Sequence, residues 1–361
     1  MKVLQIINSL GAGGAEKLVV ETTLLFIKKG IQADVLLLNG ERTPLYEQLE
    51  KNSAVTIHTL KGNIYNPLNI FKIKSYFKNY DVIQAHLFPV SYWVSFAKML
   101  SLNKVPVIFT EHNTTNRRRS KPLFKAIDKL VYSNFTKVIT ISKLVDQNLK
   151  DHLNKPDTDN KFIEIPNGID LQVSHSAEPY TKEELGFSPS DTLLIQVSSF
   201  TPQKDQKTVV NALKLLPENI KLILVGHGPL MDDVKNYVAQ ENLENRVYFF
   251  GIRKDVPRLL KSVDIVVLSS HYEGLSLSCI EGMASGKPFV ATNSPGLGDI
   301  VSGAGAVFED ENETQLSQLI LNLLENEAFY NSTFENCLLR ASEYDINKMV
   351  ESYHNLYKNL V

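Results

Sequence analysis

The chain has 361 residues, 43% hydrophobic and 22% charged, which excludes a disordered polar segment and leaves room for two separate cores. Its net charge of −2 conceals an asymmetry: residues 1–170 carry 23 Lys+Arg against 15 Asp+Glu, a balance of +8, and residues 171–361 carry 15 against 25, a balance of −10. A basic first half suits an anionic partner, a lipid head group or phosphate as well as nucleic acid, and two cysteines without metal-ligand spacing exclude a disulfide framework.

The opening MKVLQIINSLGAGGAE has one lysine and a short apolar run. It ends in glycines and Glu16 where a signal peptide would have a small-residue cleavage site, so a strand followed by a turn is expected. No stretch approaches the roughly eighteen apolar residues that span a bilayer. The expected compartment is the cytoplasm, at the inner face of the membrane if the basic half meets lipid.

After that strand, Gly11, Gly13 and Gly14 would let backbone N–H groups approach an anion at the positive end of the next helix. The spacing is not the dinucleotide fingerprint, because its third glycine would fall at Glu16, and the P-loop Lys-Ser/Thr is missing. Apolar runs then recur between amphipathic segments: ADVLLL, DVIQAH, PVIFTE, KVITIS and KFIEIP, and after them LLIQVS, KLILVG, RVYFFG, DIVVLS and PFVATN. Continuous apolar strands alternating with helices predict α/β architecture twice over, with parallel sheets covered on both faces. The turn Pro166-Asn167-Gly168 places the boundary near residue 170, giving domains of 1–170 and 171–344. A closing amphipathic helix at 345–361 is expected to return to the first domain.

Ligands of open parallel sheets bind at the carboxyl ends of the strands. There, Lys204 follows LLIQVS in a loop where its ammonium can reach a diphosphate, and Gly226 and Gly228 open the backbone after KLILVG. Arg253 is placed to contact a phosphate or base, while Asp255 and Pro257 read as the cap and first turn of a helix. In HYEGLSLSCIEGMASGKP the turn carries Glu273, and a short helix carries Ser278, Glu281 and Ser285 on one stripe. The first-turn N–H groups lie between the two glutamates, near Ser276 and Leu277. Such an arrangement suits a nucleotide sugar, with the diphosphate at the helix start and each carboxylate accepting hydrogen bonds from a pair of hydroxyls. The plainer alternative makes Glu281 a solvated helix residue and Glu273 a partner of the helix dipole. A glycosidase pair is a further alternative, which leaves the glycine turns and Lys204 without a role.

Together GAGGAE, TEHN (110–113), IPNGID (165–170), PQK (202–204), GHGPL (226–230), FFGIRKDV (249–256) and EGLSLSCIEGMASGKPFVAT (273–292) resemble the retaining glycosyltransferases of family 4. The resemblance implies a GT-B fold, two Rossmann-like domains with the active site in the cleft between them. It implies a retaining glycosyltransferase of cell-surface polysaccharide or glycolipid synthesis, with a UDP- or GDP-type sugar as co-substrate. Catalytic roles fall to Glu273, Lys204 and His112, the last beside the transferred sugar. Glu273 would hold sugar hydroxyls and Lys204 the diphosphate. Donor contacts fall to Gly13, Gly14, Ser199, Gly228, Arg253, Ser276, Leu277, Ser278 and Glu281, with Glu281 on the ribose and the loop around Arg253 on the base. One departure stands out: members commonly carry an arginine where this chain has Ser199, so Arg253 or the run Arg117, Arg118 and Arg119 would have to compensate.

No metal is expected, since the literal Asp157-Thr158-Asp159 match lies in a polar loop, and no nucleic acid partner is expected. His86 and the run Arg117 to Arg119 are assigned to the acceptor or membrane side, facing a glycan or lipid-linked acceptor. In RRRSKPLFKAIDKLV, apolar Leu123, Phe124, Ile127, Leu130 and Val131 oppose Lys121, Lys125 and Lys129, a pattern that suits an anionic membrane surface. A nucleotide-sugar epimerase and a non-catalytic nucleotide-sugar sensor are the competing functions.

Overall fold

The computed structural model describes the chain apart from Ala12, residues 115–117 and Ser120. Two compact units divide it: Met1–Asn167 with Ile346–Val361, and Gly168–Asp345.

The first unit holds seven strands, β1 (Lys2–Ile7), β2 (Gln32–Leu37), β3 (Ile57–Thr59), β4 (Val82–His86), β5 (Val107–Glu111), β6 (Lys137–Thr140) and β7 (Phe162–Glu164). Every pairing is parallel, in the order β3-β2-β1-β4-β5-β6-β7. Alternation of side chains explains why the runs are apolar throughout. Leu4 and Ile6 enter one layer with Ile83 and Phe109, while Ile7, Val35 and Leu37 enter the opposite layer with Val19 and Val20. Each such side chain removed from water contributes about 1.5–3 kcal/mol.

The second unit repeats the plan with β8 (Thr192–Val197), β9 (Ile220–Val225), β10 (Val247–Gly251), β11 (Ile265–Leu268), β12 (Phe289–Thr292) and β13 (Ala306–Phe308), all parallel, in the order β10-β9-β8-β11-β12-β13. Both sheets are doubly wound, so the strand order reverses at β1/β4 and at β8/β11. Crevices at the carboxyl ends of those strand pairs are where this topology binds ligands.

The final helix, Ile346–Lys358, belongs to the first unit and buries Ile346, Met349, Val350, Tyr353, Leu356 and Tyr357. Phe26 of the helix Gly14–Lys28 meets the rings of Tyr353 and Tyr357 at 6.3 and 5.5 Å, and the Tyr357 hydroxyl donates to Gln84 of β4. No helix among the described residues is long and apolar enough to cross a membrane.

Candidate functional site

At the β8/β11 reversal, the loops after the two strands are pinned together through their main chains. Asp205 N–H donates to the Ser269 carbonyl at 3.1 Å, and His271 N–H to the Gln203 carbonyl at 3.0 Å. Lys204 and Ser270 form an antiparallel bridge. Lys204 and Glu273 therefore stand side by side and form an ion pair, their side chains 9% and 6% exposed. Gln203 adds a second clasp, its Nε2 donating to Glu273 Oε2 at 3.1 Å and to the Tyr272 carbonyl at 2.8 Å. Removing one partner of a charge pair this buried would strand the other out of water, so each side chain holds the other in place.

Beside this pair begins the helix Leu277–Met283. Its N-cap, Ser276, makes no capping bond; its hydroxyl lies 3.0 Å from that of Ser278. Glu281 is half-buried on this helix. Ser285, expected on the same polar stripe, is instead buried and gives its hydroxyl proton to the Gly282 carbonyl at 2.7 Å. Gly226 and Gly228 have a packing role. Gly226 sits at φ +137° with the Ser198 carbonyl oxygen 2.0 Å from where a Cβ would stand, and a Cβ on Gly228 would meet the Phe200 carbonyl oxygen at 2.3 Å. These glycines let the loop after β9 lie directly on the loop after β8. Ser199 is exposed, its hydroxyl 3.4 Å from that of Thr201.

The residues expected to stand in for the missing arginine are already engaged. Arg253 donates to both carboxylate oxygens of Asp255, at 2.8 and 2.5 Å, and Tyr180 donates to the same carboxylate at 2.7 Å. Those hydrogen bonds, Arg253 first, hold the Asp255 carboxyl well below the usual range. Asp255 does occupy the N-cap position, but its side chain makes no capping bond. Arg119, expected on the acceptor or membrane side, turns inward: its guanidinium donates to Glu111 at 2.7 Å, with side chains 9% and 4% exposed. Arg118 lies over the Phe88 ring, 3.5 Å from its centroid. Neither residue is a free membrane-facing cation, because an acidic strand end and an aromatic face are placed to receive them. Arg117 lies outside the described residues.

In the first unit the buried side chains that form a line at the β1/β4 reversal are neutral. His86, expected toward the acceptor or membrane, is buried at the end of β4, so it is not a membrane contact. Its Nδ1 is 3.1 Å from His112 Nε2, and its Nε2 is 3.1 Å from Gln5 Oε1. Burial, with His112 alongside, pushes the His86 imidazole well down, and burial pushes His112 down to about 4. Gln5, His86, His112, Asn167, Met349 and Tyr353 line one small pocket in this unit. Gly13 is the N-cap of the helix Gly14–Lys28, as an anion cradle requires, but the Glu16 carboxylate leans over it, 2.1 Å from where a Gly13 Cβ would be. Burial raises the Glu16 carboxyl. An anion arriving at Gly13 must displace that group.

Asp205, His271 and Asp310 converge to within 4.8 Å, a grouping the sequence did not suggest. Each is accounted for without an ion. Asp205 caps the helix Gln206–Leu213 by accepting from Thr208 N–H at 3.1 Å. His271 Nδ1 is 2.9 Å from Asp310, whose hydrogen bond raises the imidazole toward its charged, non-ligating form.

Two family profiles match consecutive parts of the chain. "Glycosyltransferase Family 4" covers residues 12–173, and "Glycosyl transferases group 1" covers residues 178–337. Among individual proteins, the chain is 27% identical over 354 residues to the UDP-Gal:alpha-D-GlcNAc-diphosphoundecaprenol alpha-1,3-galactosyltransferase of Escherichia coli, covering 91% of this chain and 90% of that one. It is 27% identical over 296 residues to the N-acetyl-alpha-D-glucosaminyl L-malate synthase of Bacillus anthracis, covering 79% and 76%. In fold it is similar to the crystal structure of Anabaena Alr3699/HepE in complex with UDP and glucose, with a TM-score of 0.86 at 21% identity over 99% of both chains.

Proposed function

We propose that this chain, which belongs to the group 1 glycosyltransferases of family 4, moves a hexose or related sugar from a UDP- or GDP-type donor to a lipid-linked or glycan acceptor. The observation that carries the reading is the buried Lys204–Glu273 pair at the β8/β11 reversal. An ammonium and a carboxylate held together there answer the two chemically different ends of a nucleotide sugar. Lys204 offers N–H donors and positive charge to the diphosphate; Glu273, released from Lys204, accepts from sugar hydroxyls. Glu281, one face along the next helix, is assigned to the ribose, and Arg253 to the base. Ser276 to Ser278 complete the donor contacts in this unit.

In this reaction the bond from the anomeric carbon to the diphosphate oxygen breaks, and its electron pair leaves with the diphosphate. The acceptor oxygen forms the new bond and gives its proton to the departing diphosphate oxygen. Lys204 and the backbone N–H groups at Ser276 to Ser278 stabilise the developing negative charge, because fixed donors aimed at it need no reorganisation. We assign retention of anomeric configuration and independence of metal. The E. coli relative's UDP-Gal donor and diphosphoundecaprenol-linked acceptor, together with UDP in the HepE structure, favour a uridine donor and a polyprenyl-diphosphate acceptor, hence a role in cell-surface glycan synthesis at the inner membrane face.

A panel of UDP- and GDP-sugars, incubated with a GlcNAc-diphosphoundecaprenol acceptor and a chelator, tests this by mass spectrometry and by the anomeric proton coupling of the product. Acceptor-dependent transfer with retention is expected. An altered sugar on the donor without any acceptor would instead establish an epimerase. Tight donor binding without turnover would establish a sensor, a reading favoured by Ser199 in the arginine's place.

Membrane contact is assigned to the helix Pro122–Ser133, where Leu123 is 70% and Leu130 47% exposed beside Lys121, Lys125 and Lys129. Leu123→Asp should weaken flotation with anionic liposomes; unchanged flotation would remove the membrane from the proposal.

A further inference from the structure

We infer that Gln5 and His86 are positioning residues that fix the ring tautomer of His112, so that His112 presents a hydrogen-bond acceptor, Nδ1, to the substrate. This rests on the transferase reading above, together with the family resemblance, which implies that His112 lies beside the transferred sugar.

The assignment of every proton follows from one carbonyl. Thr23 Oγ1 lies 2.6 Å from the Val19 carbonyl oxygen, which has no proton to give, so the threonine's single hydroxyl proton is there. With that proton committed, Thr23 Oγ1 accepts, and the amide nitrogen of Gln5 donates to it at 2.6 Å. The Gln5 amide is thereby oriented, and its oxygen faces His86 Nε2 at 3.1 Å. An amide oxygen only accepts, so His86 carries its proton on Nε2. A neutral imidazole has one N–H, which leaves His86 Nδ1 as an acceptor. His112 Nε2, 3.1 Å away, must then be the donor. Its other nitrogen, Nδ1, keeps a bare lone pair and has no hydrogen-bond partner among the described residues.

Burial makes the order persist. Gln5, Thr23 and His86 are 1%, 0% and 4% exposed, so bulk water does not compete for their protons. Both rings are held in their neutral forms by that burial. The consequence is a selection rule. His112 welcomes a hydroxyl or amide N–H of the substrate and disfavours a carboxylate or other acceptor-only group in the same place, where two lone pairs would face each other. It does not serve as a general acid.

Long-range 1H–15N correlation spectra of the full chain with ring-15N histidine test this, with signals assigned from the His112→Asn spectrum. His112 and His86 should each show a bare Nδ1 and a protonated Nε2. Gln5→Leu removes the orienting acceptor. Both rings should then populate mixed tautomers, and kcat should drop by up to about tenfold while nucleotide affinity stays unchanged. A protonated His112 Nδ1 in the unsubstituted protein, or an unaltered ring pattern in Gln5→Leu, overturns the relay; the first of these needs no variant to fold. Altered tautomers with unchanged kcat overturn the positioning role. If no donor is turned over at all, the transferase reading fails, while the spectra still decide the proton order.

Discussion

The two sheets have the same winding and reverse strand order at equivalent places, yet the chemistry at their reversals is opposite. At β1/β4 the side chains are neutral and locked: two imidazoles and an amide, buried and joined in a line. At β8/β11 a lysine and a glutamate are buried as a charge pair on two loops stitched to each other. Topology supplies the location, and the side chains at the strand ends decide what can be bound there. A charged reversal can answer a diphosphate; a neutral one can read hydroxyls without attracting ions.

The largest expected effect separates these roles in turnover. Lys204→Met removes the charge aimed at the leaving diphosphate and should lower kcat by about 100-fold or more, by analogy with loss of a single anion-stabilising donor. A loss under threefold in steady-state assays would mean that the charged reversal does not stabilise the leaving group.

A smaller effect should appear in stability. His86 and His112 are neutral in the folded state, with His112 pushed down to about 4, whereas the unfolded chain protonates near 6.5. Below that value the unfolded state binds more protons. Their contribution is therefore complete above about pH 6.5 and is lost progressively as the pH falls toward 4. Thermal unfolding between pH 7 and 4.5 should show a steeper fall in Tm for the unsubstituted protein than for His86→Gln/His112→Asn. Equal slopes would show that the neutral reversal is not buried as described.

Much of the architecture was legible because it rests on local patterns. Eleven apolar runs read from the sequence coincide with strands, and the α/β reading with two parallel sheets follows from them. The strands not read, β3 and β13, are three residues each and lie at the sheet edges, too short to show a pattern. The site was legible in composition and not in pairing. Lys204 and Glu273 were both named, but their contact joins residues 69 apart, and only the strand order brings those loops together. The same limit hid the line from Gln5 to His112 and the burial of His86 within it. Arg118 and Arg119 are assigned from sequence to the acceptor or membrane side because a run of cations suits an anionic partner; Glu111 and the Phe88 ring that receive them arrive from other strands and turns. Gly228 was read as a ligand contact because a glycine turn has the same sequence signature whether it makes room for an anion or for another loop.

The division of labour between the two reversals is tested most directly by calorimetric titration of UDP and GDP into the unsubstituted protein, Lys204→Met and His112→Asn. Whichever nucleotide binds should lose at least about tenfold in affinity with Lys204→Met, the scale of one charge-assisted hydrogen bond, and should be unaffected by His112→Asn. Full affinity in Lys204→Met, or a comparable loss in His112→Asn, would contradict the assignment of the diphosphate to the charged reversal.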